Sequence, residues 1–140
     1  MTRAELLDFL RSHSLGVQAS VSLEGHPQAA VVGFIVTDDF EIVFDTLDAT
    51  RKVINLRRQG RCAMVIGGLS SDERTVQYEG VADEPSGAEL QQLKELYFAR
   101  FPDGRQRQQW PGMTYMRVRP RWVRYSDFNQ SPPMIVEFTF

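Results

Sequence analysis

The sequence predicts a mainly-β protein, an antiparallel barrel that is closed or partly closed, with helices inserted between its strands. Three observations predict it. Six to eight short stretches alternate in hydrophobicity or run apolar at strand length. Turn residues separate them at short intervals, which joins neighbours in hairpin order and argues against a βαβ sheet. Only two or three segments carry a helical period.

Taken in order, Thr2-Arg3-Ala4-Glu5 is a capping box, with Leu6, Phe9 and Leu10 on one helical face, so a first helix reaches about His13. From Leu15 the period changes to two. Leu15, Val17, Ala19, Val21 and Leu23 alternate with Gly16, Gln18, Ser20, Ser22 and Glu24, which makes a half-buried strand. Glu24-Gly25-His26-Pro27 turns the chain. Ala29 to Val36 is then a nearly unbroken apolar run and reads as a strand covered on both faces. Thr37-Asp38-Asp39 turns it again, and Glu41 to Phe44 returns.

A helical pattern starts at Arg51, and Arg61 to Gly67 is the next apolar strand. Gly68 to Glu73 is a loop, and Arg74 to Ala82 alternates once more. Ser86-Gly87-Ala88-Glu89 is a second capping box. It opens a helix with the stripe Leu90, Leu93, Leu96, Tyr97 and Phe101, ended by Pro102-Asp103-Gly104. Arg105 to Gln109 reads as a polar loop. Met113 to Val118, Trp122 to Tyr125 and Met134 to Phe140 complete the strands. No repeat interrupts this order, and Asn129 to Pro133 is too short to separate domains, so residues 1–140 read as one domain.

Composition sets further bounds. Hydrophobic residues make up 42% and charged residues 24%, ordinary for a soluble globular chain. No apolar run approaches the roughly 20 residues of a membrane helix, and no signal-peptide pattern opens the chain. A net charge of -2 argues against nucleic acid as a partner. The lone cysteine, Cys62, fits a reducing cytoplasm and sits among Ala63, Met64, Val65 and Ile66 as a small buried residue.

Several chemistries lack their equipment. There is no G-x-G-x-x-G, no G-x-x-x-x-G-K-[ST] and no G-x-S-x-G. His13 and His26 stand apart from other strong ligands, so no metal site is expected and both read as solvated. Asp38-Asp39 is turn chemistry. Arg117, Arg119, Arg121 and Arg124 read as a solvated face, from which one could reach an anionic ligand. No side chain stands out as catalytic, so a cofactor would have to bring the chemistry.

One stretch stands out. Phe44-Asp45-Thr46-Leu47-Asp48-Ala49-Thr50 leads from a strand into a helix whose first turn carries Arg51 and Lys52. Five basic residues and no acidic ones lie between Arg51 and Arg61. Cations at the positive end of a helix dipole make sense if an anion binds there, with the hydroxyls of Thr46 and Thr50 as further donors. The plain alternative is a solvated basic helix, with Arg57 and Arg58 near its C-terminus and Gly60 beyond it. Gly33, within its bulky run, marks either close approach by a ligand or a bend.

Val43-Phe44-Asp45-Thr46 followed by Thr50-Arg51-Lys52 resembles the FMN-phosphate segment of the pyridoxamine 5′-phosphate oxidase-like flavin-binding split barrels. Gly25-His26-Pro27, Ala30 to Phe34, Glu73-Arg74-Thr75-Val76, Gly80-Val81-Ala82 and Tyr97-Phe98 follow that family's pattern in order, from about Val17 to Tyr125. The resemblance implies a six-stranded, Greek-key-like split β-barrel that forms a homodimer with FMN at the interface. It implies that Arg51, Lys52, Thr46 and Thr50 hold the phosphate, with Asp45 beside them. Ala30, Val31, Val32 and Gly33 would run along the isoalloxazine ring, and Thr75 or Gln77 would come from the partner. Trp122 is a candidate to stack on the flavin, whereas Trp110 reads as packing.

Departures from the pattern narrow the activity. Ala30 replaces the family's usual arginine, Ile35 a substrate-holding lysine, and nothing after Tyr125 matches its C-terminal arginine-and-histidine segment. An acid at Asp45 would oppose an anion unless it points elsewhere. The expectation is an FMN-dependent oxidoreductase acting on a small molecule, other than the name-giving oxidase. The alternatives are a reductase using the deazaflavin coenzyme F420, or a non-catalytic flavin- or haem-binding sensor.

Overall fold

A computed structural model describes all 140 residues. Eight strands form one curled antiparallel sheet: β1 (Leu15–Val21), β2 (Pro27–Gly33), β3 (Ile35–Val36), β4 (Ile42–Leu47), β5 (Arg61–Gly67), β6 (Arg74–Asp83), β7 (Met113–Asp127) and β8 (Met134–Thr139). Their order across the sheet is β2-β1-β5-β6-β7-β4-β3, with β8 beside the second half of β7. Four helices are inserted: α1 (Arg3–Arg11), α2 (Arg51–Arg58), α3 (Gly87–Arg100) and α4 (Gly104–Arg107). The sheet does not close. β2 pairs only with β1, so its far edge is free and the barrel is split there.

The core lies inside the curl, where Phe34, Ile42, Phe44, Met64, Ile66, Tyr78, Met116 and Val118 meet Leu6 and Leu10 of α1. The Thr2 capping box forms with both of its bonds. Ser86 makes no side-chain cap, so the second box does not.

The sheet has eight strands where the resemblance implies six, and five further expectations change. The apolar run from Ala29 breaks at Phe34 into β2 and β3, and Val31 is 64% exposed, so one face of this strand is open. β7 is one strand of 15 residues in place of two, with a bulge opposite Glu79/Gly80 that lets it bend across the barrel. The polar segment after Gly104 forms the short helix α4. Arg117 is no solvated side chain. It is 3% exposed and held by Asp83 at 2.9 Å and by Glu89, while Leu96, given to the apolar stripe of α3, is exposed.

β1 is half-buried, but the buried half is the polar one. Gly16, Gln18 and Ser20 face inward, while Leu15 and Val21 are exposed. The same inversion continues along the outer face. Register aligns Val31, Val17, Val65, Gln77 and Arg124 in one row across five strands, and Ala29, Ala19, Ala63, Glu79 and Trp122 in the next.

Candidate functional site

The basic stretch sits where a strand end, a helix start and the sheet's free edge converge. Gln18, Ser20, Gln28, Ala29, Ala30, Ala49, Thr50, Arg51 and Lys52 line a cleft of about 340 Å³ between the N-terminus of α2 and β2. Thr50 is the N-cap residue and its side chain caps nothing. The N–H groups of Arg51, Lys52 and Val53 bond to no carbonyl of the chain, so the positive end of the helix is open.

Neither Arg51 nor Lys52 has a carboxylate within ion-pair distance, in a chain with twelve such contacts elsewhere. Lys52 is half-buried, and desolvation pulls its ammonium pKa below the ordinary lysine value. Arg57, by contrast, is committed to Glu84 at 2.7 Å, and Arg58 donates to the Val21 carbonyl. The basic helix therefore divides. Its second half serves the fold, and its first turn carries charge that no carboxylate of the chain answers.

Thr46 and Thr50 are close, with hydroxyls 3.3 Å apart. Thr50 spends its only proton on the Leu47 carbonyl at 2.8 Å, so Thr46 donates to Thr50. Both protons are used within the loop, and the pair shapes the loop more directly than it offers free donors.

Asp45 points elsewhere. Its carboxylate accepts from the Tyr97 hydroxyl at 2.8 Å and from Arg107 at 3.0 and 3.1 Å, which ties β4 to α3 and α4. Burial and the nearby carboxylate raise the Tyr97 pKa, which keeps that hydroxyl a donor. This answers the objection to an acid beside an anion site, and it gives Asp45 a structural partner set.

Gly33 also has an internal explanation. A Cβ there would stand 3.1 Å from Cζ of Phe101, so the close approach is made by the chain's own aromatic ring. Of the ring-side stretch, Ala30 lines the cleft, Val31 faces out and Val32 faces the core. Thr75 and Gln77 lie on the outer face of β6, beside Ala63 and Val65, in a separate depression from the cleft. Trp122 is half-buried in that same outer row and donates to Glu137 at 3.3 Å. Trp110 is 53% exposed, so it does not pack in this chain's core.

Sequence reasoning missed the polar floor of the cleft. Gln18 is 1% exposed, donates only to Cys62 Sγ at 3.6 Å, and leaves its Oε1 unpartnered. Asn55 reaches Ser20 and Gln28 from α2. The signal was present in the polar half of the β1 alternation.

A model of the family described as pyridoxamine 5′-phosphate oxidase matches residues 2–127. The chain belongs to the pyridoxamine 5′-phosphate oxidase-like family. No functionally curated protein matches it. Among solved structures, a haem-binding protein from Mycobacterium smegmatis is 19% identical with a TM-score of 0.82, covering 99% of this chain and 59% of that one. A haem storage protein from Vibrio cholerae is 14% identical with a TM-score of 0.75, covering 98% and 93%. A pyridoxamine 5′-phosphate oxidase-related, FMN-binding protein from Nostoc punctiforme is 13% identical with a TM-score of 0.69, covering 98% and 94%. These likenesses establish the fold, an antiparallel split barrel. The chain spans less than two thirds of the Mycobacterium smegmatis protein. No helix is long and apolar enough to cross a membrane.

Proposed function

We propose that this protein binds FMN in the cleft between α2 and β2 and serves as an oxidoreductase on a small molecule, as a homodimer in the cytoplasm. The observation that carries the reading is the first turn of α2, where open N–H groups meet two cations with no carboxylate near them. A phosphate monoester dianion supplies what all of these lack. Arg51 offers a planar fork and Lys52 a point charge, a pair suited to phosphate oxygens. The free edge of β2 lines the other side of the cleft and carries unpaired backbone groups for the polar rim of a flat ring. The orphaned Gln18 Oε1 marks an interior that has acceptors to spare on that side. The bound flavin would supply two-electron transfer.

The dimer rests on the outer face. Two cross-strand rows of small and branched apolar residues, with Val31 and Val65 open to solvent and the exposed Leu15 beyond them on β1, form the kind of patch that a partner covers. A second copy would bring Thr75, Gln77 or Trp122 toward a cleft that one chain leaves without them.

Absorption spectroscopy after mixing with FMN and desalting tests the reading. A retained two-banded spectrum supports it, and its loss in Arg51→Ala/Lys52→Ala assigns the phosphate end. A colourless wild-type protein ends it. Mass spectrometry of any co-purifying cofactor separates FMN from F420.

A haem reading has one observation in its favour. Ala19, Val21, Pro27, Ala63 and Val81 form an apolar trough flanked by Arg61 and Arg121 and by the one acid Glu79, a net positive rim for a flat apolar anion. A Soret band after haem titration, lost in Arg61→Ala/Arg121→Ala, would favour it over FMN.

A further inference from the structure

One buried side chain joins the two walls of the cleft. Asn55 lies four residues after Arg51, hence on the same face of α2 and one turn behind the helix start. It is 5% exposed. Its Nδ2 donates to Ser20 Oγ at 3.1 Å and to Gln28 Oε1 at 2.9 Å. Ser20 and Gln28 face each other across the β1–β2 ladder, so a single amide grips both strands at one register position. Both residues also line the cleft.

The helix has a separate apolar anchorage. Val53 and Leu56 are 0% and 3% exposed. Leu56 belongs to the barrel's core cluster, so burial seats the helix as well. What Asn55 adds is the spacing between the first turn of α2 and the free edge of β2. That spacing matters to a ligand that must touch both at once. Binding two ends of one molecule gains over binding each alone only if the two subsites are held at the matching separation.

We propose that Asn55 is a positioning residue that sets the width of the cleft, so that the phosphate end and the ring end of one cofactor are engaged together. This rests on the FMN reading above. Asn55 touches neither end itself, and its contribution appears as coupling between them. Gln28 is the strand-side half of the same device, because its Oε1 is the acceptor that connects β2 to the helix. Substituting Asn55 should loosen the coupling while leaving each subsite chemically intact, and Gln28→Ala, which also changes the cleft wall, is read against its own riboflavin and phosphate affinities.

The experiment titrates wild type, Asn55→Ala and Gln28→Ala with FMN and riboflavin, followed by flavin fluorescence, and with inorganic phosphate, followed by calorimetry. Circular dichroism and thermal midpoints run alongside. In the wild type FMN should bind far more tightly than riboflavin. Asn55→Ala should shrink the FMN-to-riboflavin affinity ratio about tenfold, with phosphate binding within about twofold of wild type. Gln28→Ala should do the same, and it decides the matter if Asn55→Ala does not fold. An unchanged ratio with a lowered thermal midpoint makes the network structural only and overturns the proposal while FMN binding stands. A wild type that binds no FMN overturns both readings.

Discussion

Phe101 lies against Gly33, its ring Cζ 3.1 Å from where a Cβ would be. This contact packs the end of α3 over the end of β2. Gly33→Ala should therefore act on stability. Its neighbour must give by a few tenths of an ångström, at a cost of about 1–2 kcal/mol. Urea denaturation should show that loss, and Phe101→Leu in the same chain should recover part of it. FMN affinity that falls with stability unchanged would put a ligand back at Gly33.

Asp45 gives a second test. Asp45→Ala removes the 2.8 Å acceptor of Tyr97 and one carboxylate of the half-buried Arg107, leaving the hydroxyl only a long contact to the Gly33 carbonyl at 3.5 Å and the guanidinium with Asp103 alone. A loss of about 1–3 kcal/mol follows, read as a lower thermal midpoint. FMN affinity should stay within about twofold, because the carboxylate points away from the cleft. A tenfold change in affinity would show that Asp45 does face the cofactor.

On the outer face, Val31→Lys places a charge in the row shared with Val17 and Val65. Sedimentation velocity should report a dimer for the wild type and a monomer for the variant. A wild type that stays monomeric at about 100 µM, a concentration at which a stable interface is saturated, would remove the interface.

The pH dependence of FMN binding should have two limbs. Affinity rises through about pH 6 as the phosphate takes its second charge. It falls on the alkaline side as Lys52 loses its proton, and the fall begins below the ordinary lysine value because burial depresses this pKa. Riboflavin should lack the acid-side limb, and Lys52→Ala should lose the part of the alkaline fall that FMN does not share with riboflavin.

Cys62 offers a fold-level check. Burial pushes its thiol up to about 11 from 9.0. A raised folded pKa keeps the neutral thiol favoured, so its contribution is complete below pH 9 and is lost as pH rises toward 11. Unfolding free energy should drop by roughly 2–3 kcal/mol across that window, and less in Cys62→Ala. In the native protein the thiol should resist alkylation at pH 8.

These residues also show where reading a sequence succeeds. Alternation located β1 and β6 because each has one face in a core, an apolar run located β5, and the Thr2 capping box located α1 because its bonds are local. Arg51 and Lys52 were legible because two cations at a helix start contradict the dipole. What stayed hidden depends on distant partners. Period two says that one face of β1 is buried but not which, and here the amides went inward. Arg117 looks like any strand arginine until Asp83 and Glu89 are folded beside it. Phe101 filling the space above Gly33 connects residues far apart in the chain. Asn55 carries no motif at all, and only the β1–β2 register reveals that its two acceptors are neighbours.

The free edge of β2 has a practical meaning for anyone who handles the protein. An unpaired strand edge is a template for another strand, and this one bears Ala29 and Val31 on its open side. Pro27 and Gly33 shorten it, since the first lacks an N–H and the second ends the ladder. The five residues between them remain a place where chains can zip together on storage. A ligand lying along that edge would act as a chaperone for the purified material, and turbidity over days would then track how much of the stock is unliganded.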